Sequence, residues 1–307
     1  MLKNWFVFLL IAGFLLTACT APTTTAVEQS PLVITDGLGR SITLSAPAQR
    51  VVSLSPSNTE ILFAVGAGAQ VVGRDSFSNY PQEVNDLPDI GGSFSEYDLE
   101  AILALQPDLV LAAEINTPEL VQSLQDLGLT VFYLANPSDL DGMFQMLRTV
   151  ATLTGHQEQT EQLVASLQAR VQAVRDRVAQ AKNLPTVFYE LDASDPLKPF
   201  TPGPGTFYTS LIAEAGGVNI AATLSSAWAQ ISLEELLVQD PDFILLGDAM
   251  WGTTAESVAQ RTGWDQLTAV QQGRVLPFND DLLSRPGPRQ VEGIEALAKL
   301  FHPDLFE

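Results

Sequence analysis

The sequence predicts an α/β protein of two Rossmann-like lobes with parallel sheets, joined by one long rigid α-helix. Three observations carry this expectation. Short apolar runs alternate with helical stretches in both halves of the 307 residues. Between the halves, residues 156–183 form one amphipathic segment that contains neither Gly nor Pro. "LEAILALQPDLVLA" (99–112) is echoed by "LEELLVQDPDFILL" (233–246), so each half carries the same helix-to-strand stretch.

In the first half, "RVVSL" (50–54), "VVGR" (71–74), "DLVLA" (108–112) and "TVFYL" (130–134) are β-branched or aliphatic runs bounded by Gly, Pro or Asn, which predicts strands. "SNTEILFAVGAG" and "TPELVQSLQDLG" each open on polar residues, place apolar ones at i, i+3 and i+4, and close on Gly, which predicts helices. Strands alternating with helices imply a buried parallel sheet. The second half repeats the style, with strands at "TVFYEL" (186–191), "DFILL" (242–246) and "RVLPF" (274–278). Its helices are "TFYTSLIAEAGG", "SLEELLVQ" and "RQVEGIEALAKLF".

In the segment at 156–183, Leu163, Leu167, Val171, Val174 and Val178 recur every three or four residues. This predicts an uninterrupted helix of about 26 residues, on the order of 40 Å long, acting as a strut that restrains hinge motion. The expected organisation is 1–18 signal segment, 19–30 tether, 31–155 first lobe, 156–183 linker helix and 184–307 second lobe.

The net charge of −21 repels phosphate backbones and anionic lipid, and no Lys/Arg cluster offers a local exception. Membrane attachment therefore has to come from elsewhere. Lys3 precedes the apolar run "WFVFLLIAGFLLTA", which is short for a spanning helix and typical of a signal-peptide core. The run ends in "LTAC", which resembles a bacterial lipoprotein cleavage box with Cys19, the only cysteine, as the lipidated residue. The Thr/Ala/Pro-rich stretch after it is expected to be a flexible tether. An exported protein with one cysteine has no partner for a disulfide.

In the two related stretches, Glu100 and Glu234 fall in the first helical turn, beside capping residues Asp98 and Ser232. Ser232 with Glu235 has the capping-box spacing. An acid at a helix start is ordinarily dipole complementarity, worth about 0.3–1 kcal/mol. The matched placement in both halves adds a second reading, paired contacts to a two-fold symmetric partner.

From Pro31 onward the chain resembles the substrate-binding proteins of ABC importers for cobalamin, siderophores and haem. The phrases "VVSLSPSNTEILFAVGAGAQVVG", "SNYPQEVNDLPDIGGSFS", "LEAILALQPDLVLA", "AGGVNI" and "RPGPRQVEGIEALAKLFHP" carry the resemblance by their order and spacing, and within the family the pattern is most like the cobalamin binders. The resemblance implies the class III periplasmic-binding-protein fold, no catalysis and no resident cofactor. Cobalamin, or alternatively a ferric siderophore or haem, would be held between the lobes as transported cargo. It further implies a monomer anchored by lipid to the outer face of the cytoplasmic membrane, delivering to an ABC permease dimer and its ATPase through Glu100 and Glu234. Ser57, Phe77 and Phe94 in the first lobe, and Phe200, Trp228, Asp281 and Arg285 in the second, match ligand-contact positions. Ala113, Phe77 and Phe94 replace bulkier aromatic residues of that pattern. Tyr80, Tyr97, Phe207 and Trp251 are candidates to compensate. Arg285 has a competing reading as the partner of Asp280 or Asp281.

Two histidines, His156 and His302, are too few for a histidine-built metal site, a His-based triad or axial ligation of haem or cobalt. "GPGTF" and "GLGR" lack phosphate-loop spacing, and no G-x-S-x-G occurs. A carboxylate enzyme using Asp192, Asp195, Asp280 and Asp281 stays open as the alternative from another class.

Overall fold

The computed structural model describes residues 31–92 and 96–306. The expectations placed on residues 1–30, including Cys19 and the tether, and on Phe94 lie outside the described residues. Among the described residues no helix is long and apolar enough to cross a membrane.

The first lobe opens on an antiparallel hairpin, β1 (Leu32–Thr35) and β2 (Ser41–Leu44), which was not foreseen. Its turn is "DGLGR": the fully buried Asp36 carboxylate accepts from the backbone N–H of Leu38 and Arg40 and from the Arg40 guanidinium. Burial pushes the Asp36 carboxyl upward, but the Arg40 bonds outweigh it and hold the group below its ordinary range. A lowered folded pKa contributes stability above the unfolded value, and that stability is lost as pH falls through the folded value. Asp36→Asn should therefore cost about 1–2 kcal/mol at neutral pH. In thermal unfolding the gap to the parent should close as pH falls below the ordinary aspartate range.

The first parallel sheet contains β3 (Val51–Ser53), β4 (Val71–Arg74), β5 (Leu109–Ala113) and β6 (Val131–Leu134), in the order β4-β3-β5-β6. β5 and β6 are buried at every residue, as strands covered on both faces must be. The helices are α1 (Pro56–Ala64), α2 (Leu99–Ala104), α3 (Pro118–Asp126) and α4 (Leu140–Thr154). Ser55, Asp98, Thr117 and Asp139 cap them through side-chain oxygens.

The linker helix α5 spans Gln157–Val178, 22 residues or about 33 Å, shorter than the expected 156–183. It ends at Val178 because that residue is the last of the apolar stripe. "AQAKN" beyond it has nothing large to bury. Arg148–Glu161, Arg170–Glu295 and Arg175–Glu214 tie α5 to helices of both lobes. One continuous core runs from Ile61 and Leu147 through Val164, Leu167, Val171 and Val174 to Leu211, Ile294 and Leu297. This shared core seats both lobes on α5 far more firmly than three exposed ion pairs can.

The second lobe has β7 (Thr186–Glu190), β8 (Phe200–Pro202), β9 (Val218–Asn219), β10 (Trp228–Gln230), β11 (Phe243–Leu246) and β12 (Val275–Pro277). Four of them form a parallel sheet in the order β12-β11-β7-β9, and β8 pairs antiparallel with β10. Around them lie α6 (Phe207–Glu214), α7 (Leu233–Gln239), α8 (Ala255–Ala259), α9 (Thr268–Gln271), α10 (Asp281–Ser284) and α11 (Gln290–Phe301). Ser232 accepts from Glu235 N–H at the start of α7, whereas the Glu235 carboxylate accepts from Gln239. The reciprocal capping box occurs at α8 instead, between Thr254 and Ser257.

The two echoing stretches have the same backbone. Gln106 and Asp240, each preceding the proline, are the two non-glycine residues with positive φ, at 48° and 38°, among the described residues. The aspartate after each proline ties down the start of the neighbouring central strand. Asp108 accepts from the N–H of Gln49 and Arg50, and Asp242 from the N–H and hydroxyl of Thr186. The Pro-Asp pair is thus a register pin, and it leaves the glutamate seven residues earlier free for another role.

Candidate ligand-binding cleft

In both sheets the chain reverses its winding direction beside the first strand. β3 is followed outward by β4 and then on its other side by β5, and β7 by β9 and then β11. Such switch points leave a crevice at the carboxyl ends of the strands. The crevices of the two lobes meet in one cleft of about 470 Å³. Its first-lobe wall is Ser55–Ser57 after β3, Phe77 after β4, and Ala113–Ile115 at the end of β5. Facing these are Phe207 and Tyr208 of α6, Trp228 of β10, Met250 and Trp251 after β11, and Asp280, Asp281, Ser284 and Arg285 after β12.

Of the residues expected to contact ligand, Ser57, Phe77, Trp228, Asp281 and Arg285 line this cleft. Phe200 stands one step outside: β8–β10 pairing puts it opposite Gln230, on the strand face that Trp228 shares, and farther along the hairpin. Among the candidates for compensation, Phe207 and Trp251 line the cleft. Tyr97 lies behind the wall, donating its hydroxyl to the Leu54 carbonyl and accepting from Asn116. Tyr80 does not line the cleft; Arg289 stacks on one face of its ring, with the guanidinium 4.2 Å from the ring centre, and the rest stays exposed.

Trp228 is held without being buried. It remains 48% exposed, yet its ring meets Phe207 and Tyr208 edge-on at 6.3 and 6.0 Å. Tyr208 and Tyr189 both donate to Asp280 Oδ1, at 3.0 and 2.7 Å. Burial raises the Asp280 carboxyl, which the two tyrosine donors only partly offset. Burial, and then the neighbouring Asp280, push both tyrosines well above their ordinary value, so they remain neutral donors. Tyr208 was overlooked because an aromatic inside a helix reads as core. Its signal was the adjacent Phe207 at the exit of a Gly/Pro-rich loop. Across the cleft, Phe77 and Trp251 approach to 6.4 Å, closing it with one ring from each lobe.

The polar groups are unevenly charged. Among the described residues the lining includes Glu114, Asp280 and Asp281 but a single cation, Arg285. Arg285 Nη1 donates to Glu60 at 2.9 Å and Asn79 at 2.8 Å, and Nη2 lies 2.9 Å from Asp281. The alternative pairing with Asp281 is therefore present, and a second acidic partner, Glu60 of the opposite lobe, had no sequence signal. Burial raises the Glu60 carboxyl, and the guanidiniums of Arg285 and Arg289 pull it only partly back.

The four aspartates of the enzyme alternative do not assemble. Asp192 and Asp195 cap turns, through Ser194 and Leu197, and neither lines the cleft. His156 bonds Gln70, and His302 bonds the Gly216 carbonyl.

A model of the periplasmic binding protein family matches residues 51–282, a span that includes both parallel sheets and most of the cleft lining. The chain belongs to the periplasmic binding protein family. It is 30% identical to an uncharacterized ABC transporter substrate-binding lipoprotein of Bacillus subtilis, YvrC, over 97% of this chain and 96% of that one. A cobalamin-binding protein of Halobacterium salinarum is 32% identical, over 89% of this chain and 74% of its own. Among solved structures, the periplasmic haem-binding protein RhuT of Roseiflexus superposes with a TM-score of 0.75 at 30% identity, covering 84% of this chain and 99% of that one. As a periplasmic binding protein the molecule captures a solute and performs no catalysis on it. The fold is the two-lobed, strut-linked α/β architecture expected from sequence.

The two glutamates expected to meet a permease are exposed, Glu100 on α2 and Glu234 on α7, each in the first turn. Their helices precede β5 and β11, the strands on the far side of each switch point.

Proposed function

We propose that this protein is the lipid-anchored receptor of an ABC importer and that its cargo is cobalamin or a related corrinoid. The observation that carries the ligand class is the chemistry of the cleft. Ile115, Trp228, Met250 and Trp251 stand at 48–64% exposure around it, a cluster of apolar groups that a soluble monomer rarely leaves uncovered. Inside, carboxylates and hydroxyls accept hydrogen bonds, while the one lining cation is already paired. A broad macrocycle with apolar faces, a fringe of amide N–H donors and no net charge suits that lining better than a ligand carrying net negative charge. The relative named as a cobalamin-binding protein supports the same reading.

The receptor role is supported by the Bacillus relative, named as a lipoprotein of an ABC transporter. In this reading Cys19 carries the lipid on the outer face of the cytoplasmic membrane and residues 19–30 form the tether. The loaded monomer docks on the permease dimer through Glu100 and Glu234. Tethering keeps the local concentration of receptor high, so docking need not be tight.

Thermal unfolding with added ligand tests the cargo. A ligand at a hundred times its Kd stabilises the native state by about 2.7 kcal/mol. Cyanocobalamin should raise the Tm, and haemin and a ferric siderophore should not. A rise with haemin or the siderophore alone would replace the corrinoid and leave the receptor role standing.

A further inference from the structure

Glu60 lies on α1 of the first lobe, outside the cleft lining, and is 2% exposed. Its Oε1 accepts from two arginines of the second lobe, Arg285 at 2.9 Å and Arg289 at 3.0 Å. Arg289 also stacks on Tyr80. Taking a carboxylate and two guanidiniums out of water is costly, and ion pairs of this kind are a poor source of stability. The cluster therefore calls for a reason beyond holding the lobes together, which the shared apolar core already does.

Arg285 supplies the reason. It is the one cation among the described residues that line the cleft, and its position would let it meet a ligand carboxylate or phosphate. Instead Nη1 gives its hydrogens to Glu60 and Asn79, both across the lobe boundary. Nη2 is left facing Asp281. We propose that Glu60 is a specificity-determining residue: by drawing Arg285 against the first lobe it denies the cleft an available cation and sets it to accept ligands without net negative charge. This rests on the receptor reading above and does not depend on the cargo being a corrinoid. Glu60 touches no ligand and acts only through Arg285.

The test measures the Kd of haemin, whose two propionates are the anionic probe, and of cyanocobalamin, for the parent, Glu60→Gln, Arg285→Gln and the double variant. Glu60→Gln should lower the haemin-to-cyanocobalamin Kd ratio by about tenfold or more. Arg285→Gln alone should not lower it, and in the double variant the gain should vanish. Glu60→Gln with Arg289→Gln keeps the buried cluster charge-balanced and should give the same gain if the single variant folds poorly. An unchanged ratio in a folded Glu60 variant would overturn the proposal, as would a gain that survives removal of Arg285. If cyanocobalamin binds none of the proteins, the corrinoid reading fails. The haemin Kd across the four proteins still decides the role of Glu60.

Discussion

Trp228→Ala is expected to weaken cargo binding by about 30- to 100-fold, equivalent to about 2–3 kcal/mol, while the Tm stays within a few degrees of the parent. Both halves of that result follow from its position. The ring is half exposed, so its removal opens no buried cavity. It is nevertheless oriented by Phe207 and Tyr208, and Tyr208 is fixed in turn by Asp280, so a ligand meets a surface already in place. Preorganised aromatic surface is where binding energy concentrates. Tyr208→Phe should produce a smaller loss, because the ring remains and only its tie to Asp280 is cut. Calorimetric titration of the two variants separates these effects. An unaltered Kd in Trp228→Ala would mean that the cargo does not lie against this wall.

Glu100→Ala combined with Glu234→Ala is expected to reduce cargo uptake by at least about tenfold with no change in cargo Kd. Each side chain is exposed at the start of a short helix whose far end is pinned by a left-handed residue and a Pro-Asp pair. The two carboxylates therefore stand at equivalent, rigid places on the two lobes. Rim charges of this kind govern encounter and register with a partner of opposite charge, and they act more on association than on intrinsic stability. Either single substitution should give an intermediate loss. Uptake by whole cells expressing each variant, set beside the Kd of the purified protein, separates docking from capture. Full uptake in the double variant would return both glutamates to helix-dipole complementarity.

The alternation of strands and helices and the amphipathic linker were legible because a buried parallel sheet and a packed strut leave periodic apolar patterns. The end of α5 was misplaced by the helix-forming residues 179–183, which have good propensity and nothing to pack against. The β8–β10 hairpin escaped because its three-residue strands are too short to show a period, and with it went the exact position of Phe200 relative to Trp228. Long-range polar partners were the least legible. Nothing near Glu60 in the chain announces Arg285, which lies 225 residues away. Nor does "FND" announce that Asp280 will be gripped by Tyr189 and Tyr208. The Pro-Asp pairs gave the reverse lesson. Their repetition was visible at once, but their work, tying down the start of the neighbouring central strand, emerged only from the hydrogen bonds.

The central claim is that a corrinoid binds between the lobes, and calorimetric titration of the purified protein with cyanocobalamin tests it most directly. One binding site per chain is expected, with a Kd of about 1 μM or tighter and quenching of fluorescence from Trp228 and Trp251 on the cleft wall. No heat and no quenching with cyanocobalamin, from a protein that binds haemin or a ferric siderophore under the same conditions, would contradict it.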